Sequence, residues 1–535
     1  MNQRDKWWWR HGIFYQIYPR SFQDTNADGV GDLRGIIGRL PYLQSLGVDA
    51  IWLSPIFPSP MADFGYDIAD YTGVDALFGT MADFEALVNA AHAGGLRVIL
   101  DLVPNHTSDQ HPWFVESRGS RDNPKRDWYI WRDPAADGGP PSNWLSEFGG
   151  SAWQYDATTR QYYYHAFLAQ QPDLNWRNPA VRRAIYDVMR FWLGKGVDGF
   201  RVDVIWHLIK DAAFRDNPPN PNYREGRPPH ERILPLNSTD QAEVHEVIAE
   251  MRRVIDEFDS RVLIGEIYLP LERLVAYYGK DLAGAHLPFN FALLSAPWHA
   301  RSIEKIIFEY EAALPQGAWP NWVLGNHDRP RVASRVGRAQ ARVAAMLLLT
   351  LRGTPTLYYG DEIGMHQVAI APEQVRDPFE KNVPGIGVGR DGCRTPMQWD
   401  ATPYAGFSTS TPWLPLADDF RHENVANLDA DAASILSLYR ALIGLRKKLP
   451  PLVSGDYVPI VAEGDLLLYR RESGETTVVI ALNLGAEPVS IKSDAAGLSG
   501  EILLSTFLDR QGEKIQGALD LRGDEGVMIG TSLVP

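Results

Sequence analysis

The sequence predicts an α/β fold: a (β/α)8 TIM barrel with a small domain inserted after its third strand and an antiparallel β domain at its C-terminus. Short, almost continuously apolar runs alternate with runs of helical spacing along most of the 535 residues, as in a parallel sheet that is covered on both faces. One long polar segment interrupts the alternation, and beyond residue 451 short strands follow one another without helices. These patterns favour the barrel over the alternative of a doubly wound open sheet.

Eight apolar runs are predicted to be the barrel strands, and the sixth is the weakest of them. They are Ile13–Tyr18, Ala50–Pro55, Val98–Val103, Val197–Val204, Val262–Ile267, His286–Phe291, Trp322–Gly325 and Thr356–Tyr359. The barrel helices are predicted where apolar residues recur every three or four positions. They are Asp32–Gly47, a helix that opens at the capping box Thr80–Asp83, Ala180–Lys195, Ala242–Phe258, Leu271–Tyr278, Ile303–Leu314, Ala339–Leu351 and Ala432–Lys447.

The interruption between Thr107 and Trp176 is rich in Gly, Pro and aromatic residues and is too long for a plain loop. We therefore expect the barrel to comprise residues 1–106 and 177–451, with an inserted domain at 107–176. A C-terminal β-sandwich domain is expected at 452–535, where Leu466–Tyr469, Thr476–Ile480, Val489–Ile491 and Ile502–Leu504 are the predicted strands.

Charge and composition exclude several classes of protein. Lys and Arg number 52 and Asp and Glu number 67, which gives a net charge of −15. A chain this acidic, with no basic block, is not expected to bind nucleic acid or an anionic membrane. It has neither a long apolar run nor a signal-peptide pattern, so we expect a cytoplasmic protein. The single Cys393 excludes an intrachain disulfide and is expected to be a packed thiol.

The ends of the predicted strands carry reactive side chains. Carboxylates lie at the ends of five of the strands, and cationic or imidazole groups accompany them; in a barrel these ends meet at one mouth. The set is Asp101, His106, Arg201, Asp203, Glu266, His327, Asp328, Asp361 and Glu362. Buried carboxylates in this number indicate acid/base or nucleophilic chemistry, with a divalent metal centre as the competing interpretation. No His-x-His or His-x-x-x-His pair supports the metal centre.

An acidic loop before the first long helix has the spacing of a calcium loop. Oxygen-bearing residues occupy the first, third, fifth and ninth positions, and a glycine occupies the sixth. The expected ligands are Asp24, Asn26, Asp28, the carbonyl of Val30, and Asp32. Because Gly35 stands where the bidentate Glu of such loops belongs, the alternative is an acidic turn that caps the helix.

With these motifs the chain resembles the alpha-amylase superfamily, glycoside hydrolase family 13, and most of all its oligo-1,6-glucosidase and α-glucosidase branch. The resemblance covers essentially the whole chain. It rests on Asp101-Leu-Val-Pro-Asn-His106, Gly199-Phe-Arg-Val-Asp203, Gly265-Glu266, Asn326-His-Asp328, Gln171-Pro-Asp-Leu-Asn175, Gly65-Tyr-Asp67 and Arg394-Thr-Pro-Met-Gln-Trp399.

The resemblance implies a retaining, exo-acting α-glucosidase that works through a covalent glucosyl-enzyme intermediate. Asp203 would be the nucleophile, Glu266 the general acid/base, and Asp328 would hold sugar hydroxyls in the transition state. Such roles require Asp203 to stay ionised, which the nearby Arg201 would favour by lowering its pKa. They also require Glu266 to hold a proton in a poorly solvated position.

By the same resemblance, the nonreducing glucose would be bound by Asp63, Tyr66, His106, His327 and Arg390, with Arg201 beside the nucleophile. Phe148 and Phe167 would form an aromatic rim around the aglycone. Either Arg390 or Arg394 could reach Asp63 or Asp67. The acidic loop matches the family's structural Ca²⁺ or Mg²⁺ site, and no organic cofactor is expected.

The sequence also departs from the branch. Phe64 stands where Asn is usual, a Pro-rich loop follows Asp203, and Val368–Gly389 is short. The substrate is expected to be a small oligosaccharide or glucoside, with Val204 favouring α-1,6 linkages. Alternatives are glucosyl transfer, isomerisation of sucrose and synthesis of trehalose. A non-catalytic, transporter-associated relative is a remote alternative, because all three carboxylates are present.

Overall fold

The structure, a computed structural model, describes residues 6–492, 498–516 and 518–532. Among these residues, eight parallel strands form one sheet in the order β7-β8-β1-β2-β3-β4-β5-β6. The strands are β1 Phe14–Ile17, β2 Ala50–Leu53, β3 Arg97–Leu102, β4 Gly199–Val202, β5 Val262–Gly265, β6 Leu287–Pro288, β7 Asn321–Val323 and β8 Thr354–Tyr358. Each lies within or next to a run that the sequence predicted, so the barrel is confirmed.

A helix follows each strand, as predicted, with one correction. The helices are Leu33–Leu46, Met81–Ala93, Pro179–Gly194, Val244–Asp256, Leu271–Leu274, Ala300–Ala313, Arg338–Thr350 and Ile435–Lys448. The predicted capping box is present, since Thr80 and Asp83 exchange side-chain and backbone hydrogen bonds. The helix predicted over Leu271–Tyr278 is α-helical only to Leu274 and continues as a 3-10 turn, Val275–Tyr278.

The weakest predicted strand, β6, is only two residues long, because Pro288 has no N–H for a sheet ladder. Between β6 and β7, hydrogen bonds of the Asn321 side chain take the place of the missing backbone ladder. Its Oδ1 accepts a hydrogen bond from the Asn290 N–H at 3.0 Å, and its Nδ2 donates to the Pro288 carbonyl. A side-chain amide thus joins the two edges of the sheet and closes the barrel.

Two layers of core hold the barrel. Inside it, side chains from successive strands pack together, among them Phe14, Trp52, Ile99 and Ile264. Trp9 closes the N-terminal end of this interior; it is buried, and its carbonyl accepts a hydrogen bond from Thr354 at 2.7 Å. A larger apolar layer separates the strands from the helices. Burial on both faces explains why the strand sequences are continuously apolar.

The inserted segment after β3 has its own small core. Among the described residues it contains the helix Pro112–Gly119 and a three-stranded antiparallel sheet of Trp131–Arg132, Gln161–Tyr164 and Trp153–Asp156. Trp144, Trp153 and Tyr164 pack together in that core. The remaining short helices connect larger elements: Trp8–His11, Ala292–Ser295, Val332–Val336, Pro378–Asn382, Val425–Ala430 and Pro450–Ser454.

The C-terminal part of the chain is antiparallel β structure, as predicted. Among the described residues, a six-stranded sheet contains Asp456–Glu463, Leu466–Ser473, Thr476–Asn483, Gly526–Ser532, Ser499–Ser505 and Lys514–Gln516. A two-stranded sheet pairs Val489–Lys492 with Ala518–Leu521. Several of these strands were not predicted from the sequence; Asp456–Glu463, for example, has no continuous buried face to mark it. The exact domain boundaries stay predictions.

Candidate active site

The barrel places three carboxylates of the predicted set around one cavity, whereas Asp101, Asp361 and Glu362 are buried but do not line it. Asp101 lies near the end of β3, and the residues just beyond β4 and β5 are Asp203 and Glu266. The backbone N–H of Asp203 donates to Leu102 O at 2.8 Å, and that of Glu266 donates to Val202 O at 3.0 Å. The parallel hydrogen-bonding pattern therefore continues past the strands and fixes both residues. Asp328 follows β7 on another side of the cavity.

Arg201 joins three of these carboxylates. Its Nη1 lies 2.7 Å from Asp203 Oδ1 and 2.8 Å from Asp101 Oδ1, and its Nη2 lies 2.7 Å from Glu266 Oε2. The guanidinium is 1% exposed. One buried cation thus faces three buried acids.

The protonation of this group follows from that imbalance. Burial raises the pKa of Asp203 well above its ordinary value; Arg201 opposes the shift but does not overcome it, so the lowered pKa expected from the sequence is not found. Burial also raises the pKa of Asp101 to about 6, again against the effect of Arg201. Acids in contact that share one cation titrate together. Both shifts disfavour the simultaneous ionisation of Asp101 and Asp203.

Asp328 has a different electrostatic environment. Burial alone would raise its pKa, but His327, Arg390 and Arg394 outweigh burial and lower it. Arg394 Nη2 lies 2.8 Å from Asp328 Oδ1, and Arg390 Nη1 lies 3.3 Å from the same oxygen. Asp328 is therefore a fixed negative charge.

Arg390, rather than Arg394, contacts Asp63. The distance from Arg390 Nη2 to Asp63 Oδ1 is 2.8 Å. Burial raises the pKa of Asp63 to about 6, with Arg390 opposing the shift. Asp67 does not reach either arginine; its carboxylate accepts hydrogen bonds from the backbone N–H groups of Ala62 and Asp63 and so shapes the loop.

Two neutral histidines and a tyrosine line the same end of the cavity. The Tyr66 hydroxyl donates to Asp101 Oδ2 at 3.0 Å and lies 2.7 Å from Nε2 of His327. Burial lowers the pKa of His327 to about 3 and that of His106 to about 4. Gln171, which the sequence marks only as part of a motif, lies 3.2 Å from Nε2 of His106. These groups offer uncharged hydrogen-bonding partners to a polyol.

The mouth of the cavity is aromatic. Phe148 and Phe167 from the inserted segment meet edge to face, with ring centroids 5.7 Å apart. Phe379, from the loop after β8, stacks on Phe148 at 5.2 Å and was not identified from the sequence. The Pro-rich loop after β4 adds His230, whose Nε2 lies 3.1 Å from Glu147 Oε2. The cavity behind this rim has a volume of about 560 Å³.

Val204 lines the cavity next to Asp203. Its backbone has φ of 37° and ψ of 48°, a left-handed conformation that is strained for a β-branched residue. The turn aims the Val204 N–H at Glu266 Oε2, which accepts it at 2.9 Å. The residue that follows the nucleophile candidate therefore also holds the acid candidate.

Residues 16–455 match the family described as "Alpha amylase, catalytic domain". The chain is 44% identical to a "Probable alpha-glucosidase" of Rhizobium meliloti (strain 1021), with 95% of each chain covered. It is 39% identical to an "Oligo-1,6-glucosidase" of Heyndrickxia coagulans, with 94% of this chain and 96% of the relative covered. The chain belongs to the alpha-amylase family. Within it, the chain is a glycoside hydrolase of the α-glucosidase branch.

Solved structures of the family have the same architecture. The α-glucosyl transfer enzyme XgtA is 42% identical, with a TM-score of 0.91 over 98% of this chain and 99% of its own. The trehalulose synthase MutB from Pseudomonas mesoacidophila is 34% identical, with a TM-score of 0.89 over 98% of this chain and 99% of its own.

The family's structural metal was expected at the acidic loop. Asp24 Oδ1 accepts hydrogen bonds from the N–H groups of Asn26 and Ala27, which curls the loop, and Asp32 caps the helix Leu33–Leu46 by accepting from Gly35 N–H at 2.8 Å. The oxygen donors suit Ca²⁺ or Mg²⁺ in kind. In their present arrangement, however, the described residues include no group of three acidic, His or Cys side chains that could hold a metal. The hydrogen bond of Asp32 confirms the helix cap. The bound metal stays a prediction.

Two further expectations concern the lone thiol and membrane-spanning helices. Cys393 is buried and its thiol contacts backbone carbonyls of His327 and Arg390, which agrees with a packed thiol. In the part of the chain that the structure describes, no helix is both long and apolar enough to cross a membrane.

A buried lysine attaches the inserted segment to the barrel of this family member. Lys210 Nζ lies 2.5 Å from Asp173 Oδ2 and donates to Asn105 Oδ1 at 2.8 Å. The other oxygen of Asp173 accepts the N–H of Ala166 at 2.8 Å, next to Phe167. Lys210 is 1% exposed and Asp173 is fully buried. The pair therefore positions the aromatic rim as well as the segment.

Replacing Lys210 by Met should lower the melting temperature strongly. The substitution leaves the Asp173 carboxylate buried without a cation, which costs about 3–5 kcal/mol in comparable cases. Thermal unfolding followed by circular dichroism measures the effect. The matched double variant Lys210→Met/Asp173→Asn removes both charges and should recover most of the loss. A single variant as stable as the wild type would contradict this account.

Proposed function

We propose that this enzyme is a retaining, exo-acting α-glucosidase that releases α-glucose from the nonreducing end of short oligosaccharides and α-glucosides. The observation that carries the proposal is the contact of one guanidinium, Arg201, with both Asp203 and Glu266. Retaining glycosidases keep their two carboxyl groups about 5 Å apart, whereas inverting enzymes leave a wider gap for water. Two carboxyls that contact the same guanidinium lie close together, which supports retention.

In the first step, Asp203 attacks the anomeric carbon while Glu266 donates a proton to the glycosidic oxygen, so the aglycone leaves as a neutral alcohol. In the second step, Glu266 takes a proton from water, and the water displaces Asp203 from the same carbon. Arg201 supports this division of labour, because it contacts both acids and can stabilise the negative charge on either one. The reaction requires the proton on Glu266 and the charge on Asp203 when the sugar reaches the site.

The closed end of the cavity is proposed to bind the terminal glucose. Asp63, paired with Arg390, would accept hydrogen bonds from sugar hydroxyls, and His106, Tyr66 and His327 would complete the hydrogen bonds. Asp328, held ionised by two arginines, would bind hydroxyls that become more polarised in the oxocarbenium-like transition state. Phe148 and Phe167 would stack on the aglycone. This arrangement supports release of single glucose units and disfavours long starch chains.

Glucosyl transfer is the second candidate function. The aromatic rim supports it, since apolar walls limit water at the step where an acceptor attacks the glucosyl-enzyme. The names of XgtA and MutB, a glucosyl transfer enzyme and a trehalulose synthase, point the same way. Product analysis on maltose, isomaltose, sucrose and trehalose distinguishes the candidates: free glucose as the main product supports hydrolysis, and new disaccharides support transfer or isomerisation.

Replacing Asp203 by Asn should reduce turnover of p-nitrophenyl α-glucoside by many orders of magnitude, well beyond the 10²–10⁴ typical of a positioned acid or base. Melting temperature serves as the control for folding. In a second variant, Asp203→Gly, added azide should restore aglycone release and yield the β-glucosyl azide, because azide fills the place of the missing carboxylate. More than about a hundredth of wild-type activity in pure Asp203→Asn would sink the assignment.

Linkage preference is proposed to depend on the shape of Val204, which offers no hydrogen bond to a sugar. We expect isomaltose to be a good substrate and Val204→Thr to change the isomaltose-to-maltose ratio of kcat/KM by roughly 10–200-fold. Thr is also β-branched, so the wild type and the variant carry the same backbone strain at position 204. Val115→Thr on the surface is the matched control. A wild type that cleaves maltose and ignores isomaltose would refute the linkage rule and leave the α-glucosidase proposal standing.

We also propose that the Asp24–Asp32 loop binds Ca²⁺ or Mg²⁺, which would stabilise the fold without taking part in the reaction. An ion bound only to the native state raises its stability by mass action, so excess chelator should lower the melting temperature. Asp28→Asn should weaken the response to chelator, because it removes the charge of one proposed ligand. The substitution is suitable because the Asp28 side chain bonds only within the loop. Unchanged melting in chelator together with no metal by elemental analysis would exclude the site.

The cytoplasmic location and the absence of a nucleic-acid partner stay predictions from the sequence. A small oligosaccharide or glucoside is the proposed binding partner. Cell fractionation and a binding assay with duplex DNA would check the two predictions.

A further inference from the structure

Asp377, in the loop after β8, lies behind the wall of the cavity. It is fully buried and is not among the residues that line the cavity. It precedes Pro378 in a stretch without hydrophobic periodicity, so nothing in the sequence marked it. Its contacts nonetheless join two parts of the proposed substrate pocket.

The carboxylate of Asp377 contacts both the guanidinium and the backbone N–H of Arg390. Oδ1 lies 2.6 Å from Arg390 Nη2, both carboxylate oxygens lie 3.1 Å from Nε, and Oδ2 accepts the backbone N–H of Arg390 at 2.7 Å. Although burial would raise its pKa, the Arg390 cation keeps the pKa of Asp377 below its ordinary value. A permanent charge thus fixes both the backbone and the side chain of this arginine.

The orientation of Arg390 matters because its outer side faces the pocket. Nη2 contacts Asp63 at 2.8 Å and Nη1 approaches Asp328 at 3.3 Å. An arginine has many rotamers, and two carboxylates of the pocket alone would not determine one of them. Because the Asp377 carboxylate also contacts Nε, the Arg390 guanidinium has one orientation in which it pairs with all three carboxylates.

The same carboxylate reaches the aromatic rim. Asp377 is the N-cap of the helix Pro378–Asn382, and its Oδ1 accepts the N–H of Phe379 at 3.2 Å. Phe379 stacks on Phe148, and the Arg390 guanidinium lies 4.9 Å from the centre of the Phe148 ring. One buried side chain therefore supports both the glucose end and the mouth.

We propose that Asp377 is a positioning residue that holds Arg390 in the direction required to bind the terminal glucose. This inference rests on the proposed function, because it assumes that the Asp63–Arg390 end of the cavity receives the sugar. Asp377 itself does not touch the substrate. Its effect is on ground-state binding, so it changes KM and glucose affinity more than kcat.

The test compares the wild type with Asp377→Asn, Arg390→Lys and the double variant. Asn keeps the N-cap oxygen but loses the charge on Arg390. Asp377→Asn should raise KM for p-nitrophenyl α-glucoside roughly ten- to hundredfold, the range for a lost hydrogen bond to a charged group, with a much smaller change in kcat. Calorimetry with D-glucose should show weakening of similar size. In the Arg390→Lys background, Asp377→Asn should add little, since both substitutions act on one interaction.

Asp198→Asn is the matched control for a structural role. Asp198 is also fully buried and paired with arginines, but it lies at the start of β4, at the other end of the barrel. It should lower the melting temperature and leave KM unchanged. If Asp377→Asn behaves in the same way, or if its effect is fully additive with Arg390→Lys, the proposal is overturned.

The remaining outcomes are also decisive. If Asp377→Asn does not fold, Asp377→Ser, which retains a capping oxygen, takes its place. Failure of both variants to fold while Asp198→Asn folds would make the role purely structural and overturn the proposal. A wild type that binds glucose but cleaves no α-glucoside would refute the proposed function alone, because the glucose calorimetry would still report on Asp377.

Discussion

The charge balance of the site depends on one guanidinium, that of Arg201. Arg201 lies opposite Asp101 in the β3–β4 register, and it contacts Asp203 and Glu266, which follow β4 and β5. Without it, three carboxylates would be buried together, each at a cost of several kcal/mol. The barrel makes the arrangement possible, because parallel strands present the residues at their C-terminal ends to the same space. The hydrogen bonds between the strands hold these residues rigidly, in the precise positions that reacting groups require.

A second cluster of charges faces the first across the cavity. Arg390 and Arg394 follow β8, and they are balanced by Asp63, Asp328 and Asp377. The two clusters differ in what they can do. The first places three buried acids on one cation, and burial raises the pKa of Asp101 and Asp203. The second lowers the pKa of Asp328, so it keeps a fixed negative charge in the cavity.

The outer part of the pocket is assembled from segments that are not part of the barrel. Phe148 and Phe167 come from the inserted segment, Phe379 from the loop after β8, and His230 from the Pro-rich loop after β4. Buried ion pairs such as Lys210–Asp173 fix these segments to the barrel. Chemistry therefore depends on the strands, whereas the shape of the mouth depends on loops that can vary without disturbing the strands.

The sequence by itself determined the barrel, the set of carboxylates at its strand ends and the family resemblance. These follow from hydrophobic periodicity and from short motifs, both of which are local in the chain. Only the tertiary structure decided that Arg390 meets Asp63, 327 positions away, that Asp377 lies behind it, and that Asn321 closes the barrel. It also decided how burial shifts the pKa values of Asp101 and Asp203 around Arg201. Such contacts join irregular loops, and pKa values depend on burial, so no local pattern of residues records either of them.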